Sequence, residues 1–526
     1  MPRHLLIAER VRDAARVLGT AVLVDNGRIV EVGDAARLRS PDHLEVAYPG
    51  ATIVPGMVDA HLHPIGYAAS LNRPVLKDAR DLDDVADILR TAARSQSPGS
   101  AMVALRLDDE SLAEGRLPDR HFLDRVMGDR PSLVIRYCGH IAVANSAALA
   151  LAGIDDATPD PPRGSIDRDD QGRPTGVLRE TAVEPVATAL GSIAPEVTPD
   201  DMVDAAIALA SLGLTGIGAI VDHEAGCWAG AGSELDLLIE ASERIPIAME
   251  VFVIAQTPAD LESAARRLDG LRGRVRFAGF KMFSDGSLGG HTAAMHEGFT
   301  DDPEQRGTDR LDPEWAKEMA AAALDLEGRV ALHAIGDLAN ERALNLMEHL
   351  IARGADPTGL RVEHASVLSE RDIRRFGSLG VTASVQPAFM PSETGWLEKR
   401  LGSDRLRRTY PFRSLAEAGA PLAGGSDSPV ETPDPLWGIA AARDRCGIVP
   451  EEGLGPEVAL GLFTSGAAAA TGAPSSLEQG GAANLTVLTT DPVVATPDEV
   501  RQARVVATWV DGSIVEVPVG TVAWRG

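Results

Sequence analysis

Aromatic side chains make up only 4% of the 526 residues, and cysteine occurs three times. A core with so few rings has to be filled by Val, Leu, Ile and Ala, as in layered α/β proteins. Cys138, Cys227 and Cys446 are far apart, match no zinc spacing and are odd in number. That argues against a full disulfide framework and fits a reducing cytoplasm. Positive charge is also short. Fifty Lys and Arg against 77 Asp and Glu leave a net charge of −27, so neither nucleic acid nor an anionic membrane surface is expected as a partner. No run of about 18 apolar residues occurs, and the first residues, MPRHLLIAERVRDAARVLG, lack a continuous apolar stretch. A soluble cytoplasmic protein is expected, and a homodimer is left open. What is present is ordinary for a globular chain: 44% hydrophobic and 24% charged, with a length that calls for two or three domains.

Both ends carry hairpin texture. Thr20 to Gly33 places apolar runs around Asn26-Gly27, and ARVVATWVDGSIVEV does the same around Asp511-Gly512. Neither end has enough strands for a stable sheet alone. Residues 1–50 and 477–526 are therefore expected to form one composite β-sandwich domain. Between them, apolar strand-like runs alternate with amphipathic helices, which predicts a parallel α/β domain. Eight runs are found, at 52–63, 215–222, 245–254, 275–286, 329–337, 361–366, 381–387 and 421–428. One intervening helix is announced by Asp312 as N-cap and Pro313 at its first position. Eight units suggest a TIM-like (β/α)₈ barrel over 51–64 and 201–476. Residues 65–200 are too long for one crossover. They hold strand candidates at 101–107 and 132–138 and are read as an α/β insertion capping the barrel mouth, with 157–174 as a loop.

Chemistry in such barrels sits at the C-terminal ends of the strands. His61, His63, Lys281, His333, His364 and Asp427 fall there, four of them histidine in a chain with only 12. Neutral imidazole and carboxylate suit zinc and similar divalent ions. His61 and His63, at i and i+2, share one side of a strand. Each residue also has a plainer reading: an HxH pair in the core, a satisfied buried histidine, or Asp427 as a turn or cap residue. Lys281 in a buried strand has to be paired, deprotonated or chemically modified. Their convergence on one face is what favours a metal centre. Among weaker candidates, His140 either contacts substrate or belongs to a helix start capped by Asn145 or Ser146. His291 either contacts substrate or caps a loop. His223 and Glu180 rank below these. Glu363 should point away from its neighbour His364 and serve as a supporting or packing residue.

The motifs VDAHLH, KMFSDGSLGG, HAIGD, VEHAS and GGSDSP, with GHIAVANSAAL, PTGVLRE and DDPEQRG, resemble the amidohydrolase superfamily. The branch they resemble is amidohydrolase-3, which includes YtcJ-like proteins and N-substituted formamide deformylase. The likeness runs over nearly the whole chain. It implies a metal-bearing (β/α)₈ barrel in which His61, His63 and Asp427 serve one metal and His333 and His364 a second. Lys281 would be N-carboxylated and bridge the two. Zinc is the expected metal, as one or two ions. Two departures stand out. His291 replaces the usual Arg in GSLGGHTA, and GGAANLTVL has lost a Lys and carries Asn484 in place of Asp.

The resemblance implies hydrolysis of an amide-like, non-peptide carbon–nitrogen bond in a small molecule by metal-activated water, with Asp427 shuttling the proton. Deamination, or hydrolysis of a cyclic amide, carbamate or ester, uses the same scaffold. A catalytically silent metal-binding protein is the alternative from another class. It would be expected to lack a ligand or the acid/base group, and none is lacking.

Overall fold

The computed structural model describes residues 3–97, 99–137, 139–162, 164–191, 193, 196–224, 232–521 and 523. Eight parallel strands form its centre, numbered here β1 (Met57–Leu62), β2 (Leu214–Asp222), β3 (Ala248–Ile254), β4 (Val275–Phe283), β5 (Arg329–Ala334), β6 (Leu360–His364), β7 (Thr382–Val385) and β8 (Leu422–Gly424). They pair in sequence order from β1 to β8. Almost every strand residue is buried, as strands covered on both faces must be. Helices occupy the connections, and their starts follow local chemistry. Asp312 accepts the N–H groups of Glu314 and Trp315 at the head of the helix Pro313–Asp325. Thr198 and Asp201 form a reciprocal capping box on Pro199–Ser211.

The ring closes between β8 and β1. Asp427 N–H donates to His61 O at 2.7 Å, and His63 N–H to Ser428 O at 2.8 Å. Gly425 permits this approach, because a Cβ there would lie 2.7 Å from the His61 backbone nitrogen. Asp59 reinforces the seam by accepting the N–H of His61 at 2.9 Å and of Ser426 at 3.1 Å.

Strands from both chain ends form one continuous seven-stranded sheet, in the order Ser513–Ile514, Val505–Val510, Leu485–Leu488, His43–Pro55, Arg3–Arg12, Val17–Asp25 and Arg28–Gly33. Backbone bonds from Ile29 N–H to Gly481 O and from Ala483 N–H to Gly27 O bring its last strand back to the residues before Leu485–Leu488. Asn26 and Gly27 turn the Val17–Asp25/Arg28–Gly33 hairpin with positive φ at both positions. Asn484 links segments here. It donates to Pro474 O and accepts from Asp511 N–H. The apolar run 52–63, expected as one strand, is two. Its first part ends His43–Pro55 in the terminal sheet, and after Gly56 its second part is β1.

The segment after β1 builds its own five-stranded sheet, ordered Met102–Leu107, Ser132–Arg136, Ile141–Ala144, Pro174–Glu180 and Gly164–Arg168. The last of these strands lies in the stretch read as loop from its Pro, Asp and Arg content. Asn145 caps the helix Ser146–Leu151, accepting from Ala148 N–H. Among the described residues no helix is long and apolar enough to cross a membrane. Cys446 is a free thiol, and Cys138 and Cys227 lie outside the described residues.

Candidate metal centre

His61, at the end of β1, is fully buried. Its Nδ1 lies 2.5 Å from Glu363 Oε2. A carboxylate only accepts, so Nδ1 carries the proton and Nε2 presents its lone pair. That Nε2 is 3.2 Å from Asp427 Oδ1, yet no hydrogen bond completes it. His63 falls one residue past β1, before the helix Pro64–Asn72, so it is not a strand residue as the i, i+2 argument required. Its Nε2 nevertheless reaches the same Asp427 oxygen at 3.2 Å.

His364 Nδ1 faces Gln386 Oε1 at 2.8 Å, and the Gln386 amide donates to Ser384 O, which fixes the orientation. Nε2 is again the atom left for a ligand. His333 is reversed: its Nε2 lies 3.0 Å from Gly286 O, so Nδ1 is its open nitrogen. The His333 and His364 rings are 4.5 Å apart between centroids, and His61 and His364 are 5.1 Å apart. His61, His364 and Asp427 offer ligand atoms that all lie within 4.8 Å of one another. This tight group takes members from both of the metal sets that the resemblance implied.

Lys281 Nζ is buried without a hydrogen-bond partner and sits 4.6 Å over the Phe283 ring. Burial, against the pull of Glu363 and Asp427, lowers it to about 8. Burial also opposes ionisation of Asp427, but His61 and His63 hold its carboxyl well below the usual range. Burial pushes His63, His333 and His364 down, with Lys281 adding at His333 and His333 adding at His364. At His61 burial and Lys281 oppose the cation, but Glu363 and Asp427 favour it and leave this imidazole raised, so a metal would displace that proton. The other three imidazoles, held neutral, with an ionised carboxylate and two orphaned buried nitrogens, are what a divalent cation needs in order to bind. The donor set fits the group.

Glu363, expected to point away from His364 and to serve as a supporting or packing residue, supports His61 from the same interior. It accepts from His61 and from Arg361, and Arg361 in turn donates to Ala60 O at 2.7 Å and Ser384 Oγ at 3.1 Å. Arg361 and Glu363 obey strand alternation and share the barrel interior. His364 leaves β6 with φ of +73° and swings in beside them. Asp285 was not singled out from sequence. It accepts N–H groups of Ala294, Ile335 and Gly336, and lies 3.3 Å from His333 Nε2. Its position in the SDG motif was the available signal.

A cavity adjoins the cluster, bordered by His333, Asp427 and His140 among others. His140 Nδ1 meets Glu180 Oε2 at 2.9 Å, and Arg310 binds the same oxygen at 2.9 Å. The insertion therefore brings a histidine to the mouth of the barrel, its ring 5.7 Å from that of His333. His291 is directed elsewhere. Its Nε2 lies 3.0 Å from Asp301, which also receives Arg400 at 2.9 Å, and this is the geometry of a loop anchor. His223 is held through its backbone N–H to Ile254 O and borders the undescribed residues 225–231.

The Amidohydrolase family model matches residues 49–516. The chain belongs to the amidohydrolase family. This amidohydrolase is 31% identical to the putative amidohydrolase YtcJ of Bacillus subtilis, over 94% of the chain and 95% of that protein. It is 29% identical to N-substituted formamide deformylase of Arthrobacter pascens, over 96% of each. Among solved structures it resembles an uncharacterized metal-dependent hydrolase from Pyrococcus horikoshii OT3. That match has a TM-score of 0.74 and 26% identity, covering 94% of this chain and 99% of that one.

Proposed function

We propose that this amidohydrolase hydrolyses an amide-like, non-peptide carbon–nitrogen bond of a small molecule, with zinc as its metal. The observation that carries the reading is His61 Nε2. It is a buried imidazole nitrogen with its lone pair exposed by the Glu363 contact, without a hydrogen-bond partner, and grouped with His364 and Asp427. His61, His63, His333, His364, Asp427 and Lys281 are the residues that would hold one or two ions. When bound, such an ion supplies an activated water at neutral pH and polarises the substrate carbonyl.

The chain's own groups do the rest. Asp427, ionised and bordering the cavity, takes the proton released as water adds to the carbonyl carbon. It passes that proton to the nitrogen as the carbon–nitrogen bond breaks, so that water and amide give acid and amine. His140, steadied by Glu180, borders the same cavity and is placed to contact substrate. The likeness to N-substituted formamide deformylase of Arthrobacter pascens supports N-substituted formamides as the first substrates to try. The test is turnover of N-substituted formamides and amides by zinc-loaded protein, beside esters, cyclic amides and amino-heterocycles. Release of amine from the first two classes is expected. Activity confined to the other classes reassigns the bond, and full activity in metal-free protein sinks the reading.

A further inference from the structure

Two buried carboxyl groups border the cavity and have no part in the hydrolysis proposed above. They differ in what holds them. Glu431 is matched on both oxygens: Oε2 receives Arg106 at 2.9 Å and Oε1 receives the Ser392 hydroxyl at 2.6 Å. Glu393 ends the short helix Met390–Glu393 that follows β7, and its hydrogen bond comes from the Tyr410 phenol, to Oε2 at 2.7 Å. Arg136 and Arg400 act on Glu393 through their charge, but Arg136 is bonded to Asp109, and Arg400 to Asp301 and Glu110. A carboxylate can accept about four hydrogen bonds, so Glu393 borders the cavity with accepting capacity to spare. Leu288, Ile335, Phe389 and Val430 give the same cavity apolar walls.

We propose that Glu393 selects the substrate by accepting a hydrogen bond from a protonated amine nitrogen, carried on the apolar portion of the molecule and separate from the nitrogen of the scissile bond. This rests on the hydrolase reading and narrows it to substrates with an apolar body and a basic nitrogen. Arg106 already neutralises Glu431, so Glu393 is where a cation entering this cavity finds accepting capacity apart from Asp427. Burial, with Glu431 adding to it, pushes Glu393 up to about 8. A cationic partner is the remedy for an acid in that position, because it restores the ionised form and strengthens the hydrogen bond.

The test needs no cleavage. Benzylamine and benzyl alcohol share a ring and differ in the head group, and their binding to metal-loaded protein is measured by calorimetry. The wild type should bind benzylamine at least about tenfold more tightly, the range of a charge-assisted hydrogen bond. Glu393→Gln should erase that preference while binding the alcohol as before. Should the Gln variant fail to fold by circular dichroism, Glu393→Asp, which withdraws the carboxylate by one methylene, must weaken benzylamine selectively. A wild type without the preference, or without binding, overturns the proposal. So does a variant that keeps the preference, since the amine would then sit on the metal or elsewhere. A protein inactive on every amide would leave these outcomes intact, and a lost amine preference would leave the hydrolase reading intact.

Discussion

Asp427 and His61 are joined through both backbone and side chain. The Asp427 N–H donates to His61 O at 2.7 Å, and its Oδ1 lies 3.2 Å from His61 Nε2. The bond that closes the barrel and the approach that gathers the candidate metal ligands therefore belong to the same pair. The backbone bond does not use the carboxylate, and Asn tolerates the positive φ that Asp427 adopts, so the chemistry can be altered without opening the ring.

Asp427→Asn is accordingly expected to fold and to retain much of its metal while losing turnover. The amide matches the carboxylate in size and still offers one oxygen, but it cannot take up the proton from attacking water. Acid–base assistance of this kind is worth about 10²–10⁴-fold, and the loss should fall on kcat more than on KM. Kinetics, metal content and circular dichroism beside wild type check it. Near-normal kcat with full metal would reduce Asp427 to a structural turn.

Mild purification should yield roughly one to two equivalents of a transition metal, zinc foremost, as measured by elemental analysis. If two ions bind, Lys281 should carry a carboxylate added from carbon dioxide. Reloading of metal-free protein would then depend on bicarbonate, and labelled bicarbonate would give a carbamate signal by NMR. Full reloading without bicarbonate argues for a single ion and a bare amine.

Glu363→Gln should loosen metal by about 10–100-fold, because the carboxylate fixes the His61 tautomer and strengthens its Nε2 as a donor. The same change leaves Arg361 buried without its counter-ion, at a cost to folding of about 3 kcal/mol. Metal competition titrations and denaturant unfolding read the two effects separately. An unchanged metal affinity would make Glu363 a partner of Arg361 alone.

Glu234 gives a pH prediction remote from the cluster. It is buried with Oε1 unpartnered, and burial raises it from 4.5 to about 8. The folded state thus holds a proton that the unfolded state releases. The stability associated with it is fully present below pH 4.5 and is lost as pH rises through about 8. Over that window the slope is roughly 1.4 kcal/mol per pH unit. Glu234→Gln should flatten the slope and raise the melting temperature at pH 8 relative to wild type. A parallel pH profile in the variant would reject this assignment.

Much of the barrel was legible because buried parallel strands read as apolar runs and end in the polar residues that matter. The Asn26-Gly27 turn was legible because few residues tolerate its backbone. The break at Gly56 was not, since an unbroken apolar run has no periodicity to show where one sheet stops and the next begins. Strand alternation set Glu363 opposite His364, but the positive φ of His364 lies outside the strand pattern and brings both to the site, where Glu363 supports His61. The strand Gly164–Arg168 was hidden by loop-like composition. Glu393 and Tyr410 come from the segments between β7 and β8, where no strand end marks a residue as facing the cavity.

The seam also orders events in time. His61 and His63 are made early and Asp427 late, separated by on the order of tens of seconds at ordinary rates of synthesis. Until then the histidines have no strand to close against, and the terminal sheet lacks Leu485–Leu488 beside His43–Pro55. A chain halted before residue 427 keeps its histidines yet has no ring to hold them. On the proposed metal centre, stable capture of an ion would require the chain to be made through Asp427, and added metal should protect full-length protein from aggregation more than chains halted before that residue.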